Sequence, residues 1–310
     1  MRSNPEIEHR TDYDLVAYNT LRIKSIADDV YLPHTVDEFT LLLANLDNPL
    51  VIGRGSNILL SSYGTKRPVI LTKNLNKITI NENEFEIEAG VNVSKLAEMA
   101  LELQLTGFEF LAALPATLGG AVCMNAGAVG QEISDCFVSA NVYDSEEDKI
   151  LEFNKNDMEF SYRNSKLKNQ DRFYVLSAKF ALKKADSFDV IQSLMDENFE
   201  KRKQSQPSLK DPNLGCVFKN PVIDGVKTSA GKLLDECNLK SKPMGGAMVY
   251  HKHANFIINF NEATSLDYLN LMKEMQDKVY EKFNVVLKPE IIYAGEDKNE
   301  AQIWKSIIQR

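Results

Sequence analysis

Helical periodicity is the clearest pattern along this sequence. Apolar residues recur every three or four positions in four stretches, as in helices that bury one face. The longest stretch runs from Ser265 to Phe283, where Thr264 can cap the helix and Asp267 can complete a capping box. Thr35 and Glu38 form the same signal before an earlier stretch. The pattern therefore predicts helices at residues 36–45, 94–104, 188–199 and 265–283.

Strand patterns lie between these helices. A short apolar run at residues 49–52 ends at Gly53, residues 85–89 alternate between apolar and polar, and two further strands are predicted near 138–143 and 175–182. Helices and strands are interleaved without regular alternation, which favours an α+β fold over a doubly wound sheet. A polar segment with two prolines, 202–212, predicts a boundary between a large N-terminal unit and a C-terminal one.

Composition and charge narrow the class of partner. The chain has 310 residues, of which 44% are hydrophobic and 26% charged, and its formal net charge is −8. Such a charge repels nucleic acid and anionic membranes, so we expect neither as a partner, and we predict no obligate protein partner. The polar N-terminus, the lack of a long apolar stretch and four cysteines without a CxxC pair predict a cytoplasmic protein with reduced thiols.

Two glycine-containing segments have the character of phosphate-binding loops. The first, Gly53 to Ile58, follows a predicted strand but lacks the third glycine and the helix signal of a dinucleotide-binding fingerprint, and it has no Walker lysine. Its glycines can still turn successive N–H groups toward one anion. The alternative is an ordinary tight turn, which this segment alone does not exclude.

The second segment, 112–130, is rich in glycine and alanine. Its side chains are too small for a packed helix or strand, so we expect neither there, and they would let a planar or pyrophosphate ligand lie against the backbone. A close crossing of two backbones inside the core also requires small residues. Two such segments in one half of the chain favour a large cofactor.

Five sequence blocks resemble the UDP-N-acetylenolpyruvoylglucosamine reductase (MurB) family in order and spacing over nearly the whole chain. They are 53–59 (GRGSNIL), 114–130 (LPATLGGAVCMNAGAVG), 162–165 (YRNS), 215–221 (GCVFKNP) and 288–290 (KPE), with 230–233 (AGKL) and 252–256 (KHANF) in support. The chain has no room for the long insertion with a substrate-capping tyrosine that one branch has, so it resembles the shorter branch.

The resemblance implies a fold, cofactors and a reaction. It implies an N-terminal segment at 1–21, an FAD-binding fold of the vanillyl-alcohol oxidase (PCMH) type at 22–186 and a substrate-binding C-terminal domain at 187–310. NADPH would reduce bound FAD, which would reduce the enolpyruvyl ether of UDP-N-acetylglucosamine to UDP-N-acetylmuramate for peptidoglycan synthesis. The residues that it assigns to the cofactor are Gly53, Arg54, Gly55, Ser56, Asn57, Ile58, Pro115, Ala116, Thr117, Gly119, Gly120, Asn125, Ala126 and Gly127.

The sequence departs from the family pattern at three positions. Ala116 stands where a glycine is usual, Val129 where a tyrosine is usual, and Cys216 where the family has its proton-donating serine. The FAD is expected to be bound without a covalent link, because the four histidines lie outside both glycine-containing segments and only Cys123 is a nearby thiol.

The resemblance assigns catalytic roles to Arg163, Cys216 and Glu290. Hydride addition to the enolpyruvyl carbon leaves negative charge beside a carboxylate, which the fixed fork of an arginine can stabilise. A glutamate can assist there if its pKa is raised or if it polarises another donor. A thiol, with an ordinary pKa of ~8.5, is a chemically adequate proton donor, and the alternative for Cys216 is a small buried packing residue.

Substrate-binding residues are expected among Lys219, Asn220, Lys240 and His253. The first three suit a diphosphate, and His253 suits the uracil or sugar. No metal site is predicted, because no cluster of further metal ligands accompanies His251 and His253. Two rival functions stay open at this point. One is a degenerate regulator that binds FAD or a nucleotide sugar without turnover, and the other is an alcohol oxidase on the same flavin fold.

Overall fold

The computed structural model describes residues 7–168, 171–208 and 210–310; residues 1–6 of the predicted N-terminal segment lie outside this part. The chain forms two compact units, each discontinuous in sequence. The first comprises the described residues up to Thr11, Asp29–Arg54 and Arg67–Lys201, and the second comprises Asp12–Asp28, Gly55–Lys66 and Arg202–Arg310.

The strands of the described residues are short, and most have six residues or fewer. They are β1 (Glu8–Asp14), β2 (Ile26–Leu32), β3 (Leu50–Ile52), β4 (Ile58–Leu60), β5 (Val69–Leu71), β6 (Ile78–Asn81), β7 (Glu84–Glu88), β8 (Leu105–Thr106), β9 (Gly127–Ala128), β10 (Gln131–Glu132), β11 (Phe137–Asp144), β12 (Lys149–Asn154), β13 (Phe173–Ala181), β14 (Lys183–Lys184), β15 (Asn213–Cys216), β16 (Val222–Ile223), β17 (Val226–Lys227), β18 (Pro243–Met244), β19 (Ala247–Val249), β20 (Phe256–Asn259) and β21 (Ile292–Ala294).

The helices lie between these strands along the chain. They are α1 (Val36–Asn45), α2 (Val93–Glu102), α3 (Leu118–Cys123), α4 (Phe188–Ser205), α5 (Ala230–Glu236), α6 (Ser265–Phe283) and α7 (Lys298–Ile308).

The first unit contains the antiparallel sheet β12-β11-β13-β7-β6 and the two-stranded sheets β9–β10 and β8–β14. Most residues of the sheet β1-β2-β5-β3, in which β5 pairs in parallel with β2 and β3, also belong to this unit. The phenylalanines at 85, 108 and 180 meet edge to face at centroid distances of 5.6 and 5.4 Å, within a core to which α2 and α3 contribute. Edge-to-face aromatic pairs stabilise a core beyond the area they bury.

The second unit contains the antiparallel sheet β15-β20-β19-β18 and the parallel pair β4–β21. Helix α6 packs on this sheet and buries Leu269, Met272, Met275 and Val279 completely. Full burial of one such side chain contributes roughly 1.5–3 kcal/mol, so this stripe is a main source of the unit's stability.

The predicted helices agree with the structure at most boundaries. The helix at 265–283 and its capping box of Thr264 and Asp267 are confirmed, and so is the helix at 36–45. At the start of the helix at 36–45, the capping box predicts that the Glu38 carboxylate accepts a hydrogen bond from the N–H of Thr35. In the structure it accepts one from the N–H of His34, at 2.7 Å. Helix α4 continues to Ser205, so it extends into the predicted boundary segment 202–212, and the two compact units divide at the start of that segment, between Lys201 and Arg202.

The expectation that residues 112–130 form no helix or strand is also wrong. Helix α3 forms there, because Gly119 allows it to lie against Ala89, the residue after β7: a Cβ at Gly119 would be 3.1 Å from the Cβ of Ala89. The small residues serve close packing of a helix on a sheet, which sequence periodicity does not reveal in so short an element.

Candidate active site

The first glycine-containing segment connects β3 to β4, and no helix follows it, which agrees with the failed dinucleotide fingerprint. Glycine is required at two positions. In the first unit, a Cβ at Gly53 would lie 2.0 Å from Oγ1 of Thr117, so the two predicted cofactor segments meet there. In the second unit, Gly55 has φ +61° and a Cβ would lie 2.2 Å from the carbonyl oxygen of Tyr18.

Several backbone N–H groups of these segments are available for phosphate oxygens. In the first unit, the N–H groups of Arg54, Ala116 and Thr117 donate to no backbone carbonyl of the described residues, and the same holds in the second unit for Gly55 and Ser56. Arg54 adds an exposed cation. Native backbone donors are nearly always paired, so the donors of each unit, taken by themselves, suit an anionic group such as a phosphate.

The start of α3 does not offer such donors. The N–H of Leu118 donates to the Val91 carbonyl at 2.9 Å, and the N–H of Gly119 donates to the Ala89 carbonyl at 2.8 Å. Gly119 is a predicted cofactor residue, and the structure gives its N–H a partner within the protein. Gly120 is exposed, and Pro115 and Ala116, which precede the helix, are half-buried.

Residues 125–127 support the loop that carries Arg163. The fully buried amide of Asn125 accepts a hydrogen bond from the N–H of Ser134 at 3.0 Å and donates to the carbonyl of Ser161 at 3.2 Å. Ala126 donates to the carbonyl of Ala121. Gly127 offers its carbonyl to a guanidinium N–H of Arg163 at 2.6 Å. Part of the predicted cofactor segment therefore fixes a predicted catalytic residue.

Arg163 itself adopts a left-handed backbone conformation, with φ +54°. It lies inside the turn closed by the Ser161–Asn164 bridge, and Lys168 donates to its carbonyl at 3.3 Å. The guanidinium carbon is 5.4 Å from the centroid of the Tyr162 ring. Non-glycine residues in this conformation are strained and persist only where the surroundings hold them, which often occurs at functional sites. No sequence signal reveals this conformation.

Backbone hydrogen bonds bring Cys216, Glu290 and Asn57 together in the second unit. Cys216 ends β15, and the next residue, Val217, accepts a hydrogen bond from the N–H of Glu290 at 2.8 Å. The carbonyl of Glu290 accepts one from the Asn57 amide at 3.2 Å, and β4 starts at the next residue, Ile58, which pairs with Ile292. The predicted catalytic residues Cys216 and Glu290 and the loop residue Asn57 thus belong to one hydrogen-bonded assembly.

A buried asparagine, Asn255, fixes this assembly and has no role in the sequence-based assignment. Its amide accepts from the N–H of Phe218 at 3.0 Å and donates to the carbonyl of Phe218 at 2.8 Å. Its backbone carbonyl accepts from the N–H of Val217 at 2.9 Å. A polar residue between Ala254 and Phe256 in an apolar run is the available signal, because a buried amide must be hydrogen-bonded.

Two of the predicted substrate residues, Asn220 and His253, contact the start of α5. Lys219 lies beside Lys288 through a backbone hydrogen bond of 2.9 Å. Asn220 accepts the N–H of Ala230 at 2.9 Å. His253 packs so closely on Gly231 that a Cβ there would be 2.7 Å from the imidazole Cε1. Lys240 forms an exposed ion pair with Asp235 at 2.8 Å.

The electrostatics of this region favour a neutral imidazole. Burial lowers the pKa of His253, and the positive charge of Lys240 lowers it further. The imidazole Nδ1 lies 3.2 Å from the backbone N–H of Asn255 and can accept its hydrogen bond. A neutral imidazole can donate one hydrogen bond and accept another, which suits a uracil or sugar better than a phosphate.

The part of the chain that the structure describes contains no group of three or more histidine, cysteine, aspartate or glutamate side chains arranged to bind a metal. Within the same residues, no helix combines the length and the apolar character needed to cross a bilayer.

Comparison with known proteins identifies the family. Residues 30–154 match the model of the FAD binding domain, and residues 206–294 match the model of the C-terminal domain of UDP-N-acetylenolpyruvoylglucosamine reductase. The reductase of that name from Caldicellulosiruptor bescii is 38% identical over 94% of this chain and 93% of its own length. The chain belongs to the UDP-N-acetylenolpyruvoylglucosamine reductase family.

Further relatives in this reductase family agree. The enzyme from Caldanaerobacter subterraneus subsp. tengcongensis is 38% identical over 90% of this chain and 91% of its own length. The crystal structure of the Thermus caldophilus reductase (MurB) superimposes with a TM-score of 0.78, at 29% identity, over 94% of this chain and 99% of that one. These findings confirm the predicted family and the α+β fold with an FAD-binding domain.

Proposed function

We propose that this chain reduces the enolpyruvyl ether of UDP-N-acetylglucosamine to UDP-N-acetylmuramate, with NADPH as the source of hydride and FAD as the bound carrier. The observation that carries the proposal is the agreement of two matches, the FAD binding domain at 30–154 and the reductase C-terminal domain at 206–294. The non-catalytic regulator has no finding in its favour.

The predicted cofactor residues supply contacts of two kinds. The N–H groups of Arg54, Ala116 and Thr117 in the first unit suit a phosphate of the cofactor, and so do those of Gly55 and Ser56 in the second unit. Asn125, Ala126 and Gly127 shape the loop that carries Arg163. When bound, FAD supplies the hydride that adds to the terminal carbon of the enolpyruvyl group. Burial raises the pKa of Cys123 to about 11, so this thiol is protonated at neutral pH, which supports non-covalent binding.

We assign the charge-stabilising role to Arg163 and Glu290. The guanidinium of Arg163 is held by the Gly127 carbonyl, and the planar fork can bind two oxygens of a developing enolate at no cost of reorganisation. The backbone of Glu290 is fixed on both sides, by Val217 and by Asn57. These hydrogen bonds fix the backbone position from which its carboxyl would reach the reacting group.

We assign proton donation to Cys216. The residue ends β15 opposite Phe256, immediately before the segment clamped by Asn255. Gly215, which precedes it, has φ +76°, and a Cβ added there would meet no atom within 4 Å, so the chain turns beside open space just before the thiol. Lys219, Asn220, Lys240 and His253 remain our candidates for the nucleotide-sugar portion of the substrate. Four cysteines without a CxxC pair support a cytoplasmic location for the reaction.

A product assay tests the proposal. The purified holoenzyme is incubated with NADPH and the enolpyruvyl nucleotide, and the product mass and NADPH consumption are measured. We expect a mass gain of two hydrogens and one NADPH oxidised per product. NADPH oxidation that yields hydrogen peroxide without this product would contradict the assignment and support the oxidase alternative.

A further inference from the structure

The side chain of Asn255 takes the place that a neighbouring β-strand would normally fill. Its amide accepts a hydrogen bond from the N–H of Phe218 at 3.0 Å and donates one to the carbonyl of the same residue at 2.8 Å. A residue on an antiparallel partner strand exchanges the same two hydrogen bonds with the residue opposite. The amide therefore replaces a strand partner at Phe218.

The end of a strand explains why a side chain is needed there. Strand β20 starts at Phe256, and its pairing with β15 ends where Cys216 lies opposite Phe256. Beyond this pair, the backbone carbonyl of Asn255 accepts the N–H of Val217 at 2.9 Å, and the Asn255 amide bonds to Phe218. Asn255 thus extends the hydrogen bonding of the sheet by two residues past the thiol.

Burial makes these hydrogen bonds difficult to replace. Asn255 is 2% exposed and Phe218 is 1% exposed, so water does not reach the N–H and carbonyl groups that the amide binds. A buried backbone group without a partner is strongly unfavourable, so loss of either bond would force the segment after Cys216 to move. The amide therefore holds this backbone in one position.

Val217 joins the Asn255 hydrogen bonds to two predicted catalytic residues. It directly follows Cys216, its N–H donates to Asn255, and its carbonyl accepts the N–H of Glu290 at 2.8 Å. A shift of Phe218 would therefore change the position of the Cys216 thiol relative to the backbone of Glu290. Such a shift matters for the rate, because a misplacement of about 1 Å can slow a reaction ~10²-fold.

We propose that Asn255 is a positioning residue for the protonation step, and that its amide holds Cys216 where the thiol can protonate the substrate. This inference rests on the proposed function. In this step the S–H bond of Cys216 breaks, and its electron pair stays on sulfur. The electron pair of the enolate forms a C–H bond at the carbon that bears the carboxylate, and solvent later returns a proton to sulfur.

The pH profile of Asn255→Asp tests this proposal. A protonated carboxyl has an acceptor oxygen and an O–H donor, so it can form both hydrogen bonds of the amide, whereas a carboxylate can only accept and repels the Phe218 carbonyl. Burial favours the protonated form as the pH falls. We expect kcat of the holoenzyme near pH ~9 to be about 10–100-fold below the parent value, and the ratio of the two kcat values to rise at least about tenfold by pH ~5.5.

The ratio to the parent removes the effects of groups that both proteins share. The titratable groups on the segments around Asn255 are Cys216, Lys219, Tyr250, His253, Lys288 and Glu290. Two further readouts separate positioning from a general loss of structure. NADPH should bleach the flavin of Asn255→Asp at the parent rate, because this step precedes protonation, and KM for the enolpyruvyl nucleotide should change less than kcat.

Asn259→Asp is the matched control. Asn259 ends the same strand, β20, and its amide also joins a carbonyl and an N–H, those of Leu21 at 3.0 Å and Ala263 at 2.8 Å. We expect this variant to keep the parent kcat at every pH. Asn255→Gln retains an amide but displaces it by one methylene, so its kcat should be low at every pH without recovery. It decides the test where Asn255→Asp does not fold at high pH.

The proposal is overturned if folded Asn255→Asp or Asn255→Gln has the parent kcat throughout the pH series. It is also overturned if the Asn255→Asp ratio does not rise as the pH falls, or if Asn259→Asp loses as much kcat. Any of these results, with a parent enzyme that forms UDP-N-acetylmuramate, leaves the proposed function intact. A parent enzyme that forms no such product would instead overturn the proposed function.

Discussion

Arg163 has a backbone conformation that its sequence context does not suggest. Its left-handed backbone and its hydrogen bond to the Gly127 carbonyl fix the guanidinium before any substrate binds. We predict that Arg163→Ala binds flavin normally and loses turnover by about 10²–10³, the usual effect of removing one preorganised donor. Flavin absorbance and steady-state rates measure the two properties separately.

Lys166→Ala is the matched control for this prediction, because Lys166 is a cation of the same loop that pairs with Glu159 at the surface at 3.7 Å. It should retain parent turnover. A colourless Arg163→Ala protein, or one with near-normal turnover, would show that Arg163 serves the fold or the cofactor instead.

Cys216 is the position where the chain departs from the family serine. We predict that Cys216→Ser remains substantially active, whereas Cys216→Ala loses substrate reduction but still allows NADPH to bleach the flavin. A thiol titrates near pH ~8.5 and a serine does not, so the parent should lose activity on the alkaline side and Cys216→Ser should not. If Cys216→Ala turns over at the parent rate, the residue only fills space.

Cys123 lies in the segment predicted to contact the cofactor. Burial raises its pKa to about 11, against the weaker opposing effect of Lys168. The folded protein therefore holds this proton until the pH approaches 11, and the thiol is a poor nucleophile at neutral pH. We predict that acid precipitation releases all of the flavin into the supernatant. Flavin that stays with the polypeptide of the parent, but not with that of Cys123→Ser, would refute this.

At the scale of secondary structure, two hairpins of this chain use the same two-residue turn with different residues. Asp224 and Gly225 connect β16 to β17 with φ +51° and +80°, and Val129 and Gly130 connect β9 to β10 with φ +54° and +86°. Asp–Gly suits such a turn, whereas a β-branched residue is disfavoured in the left-handed region by roughly 1–2 kcal/mol.

We predict that Val129→Asn raises the free energy of unfolding by about 1 kcal/mol, because asparagine tolerates the left-handed conformation. Asp224→Val should lower it by a similar amount. Chemical denaturation with the holoenzyme measures both. A destabilising Val129→Asn would mean that the exposed valine makes a contact that outweighs the backbone strain.

Sequence patterns predicted the long helices and missed the short helix α3. Helix α6 follows from its apolar stripe and its cap, because both signals are local. Helix α3 has only six residues, most of them small, and forms because Gly119 can approach Ala89 closely, a contact that no local pattern contains. The N–H of Gly119 donates to the Ala89 carbonyl through the same contact. The sequence could therefore not show that this N–H is unavailable to a phosphate.

At the scale of the whole molecule, the motifs identified the α+β fold and the family, but they could not show how the chain is divided. The segment Gly53 to Ile58 passes from one compact unit to the other between Arg54 and Gly55. Asn57 bonds to Glu290, 233 positions further along the chain. Such pairings depend on the folded topology. The two hydrogen bonds between the Asn255 amide and the backbone of Phe218 likewise depend on strand pairing, so no local sequence pattern predicts them.

The central claim is that hydride passes from NADPH through bound FAD to the enolpyruvyl substrate. It is tested most directly by following flavin absorbance without oxygen. NADPH should bleach the oxidised flavin bands, and stoichiometric enolpyruvyl nucleotide added afterwards should restore them. Bleaching without recovery on addition of the nucleotide, or no bleaching by NADPH at all, would contradict the account.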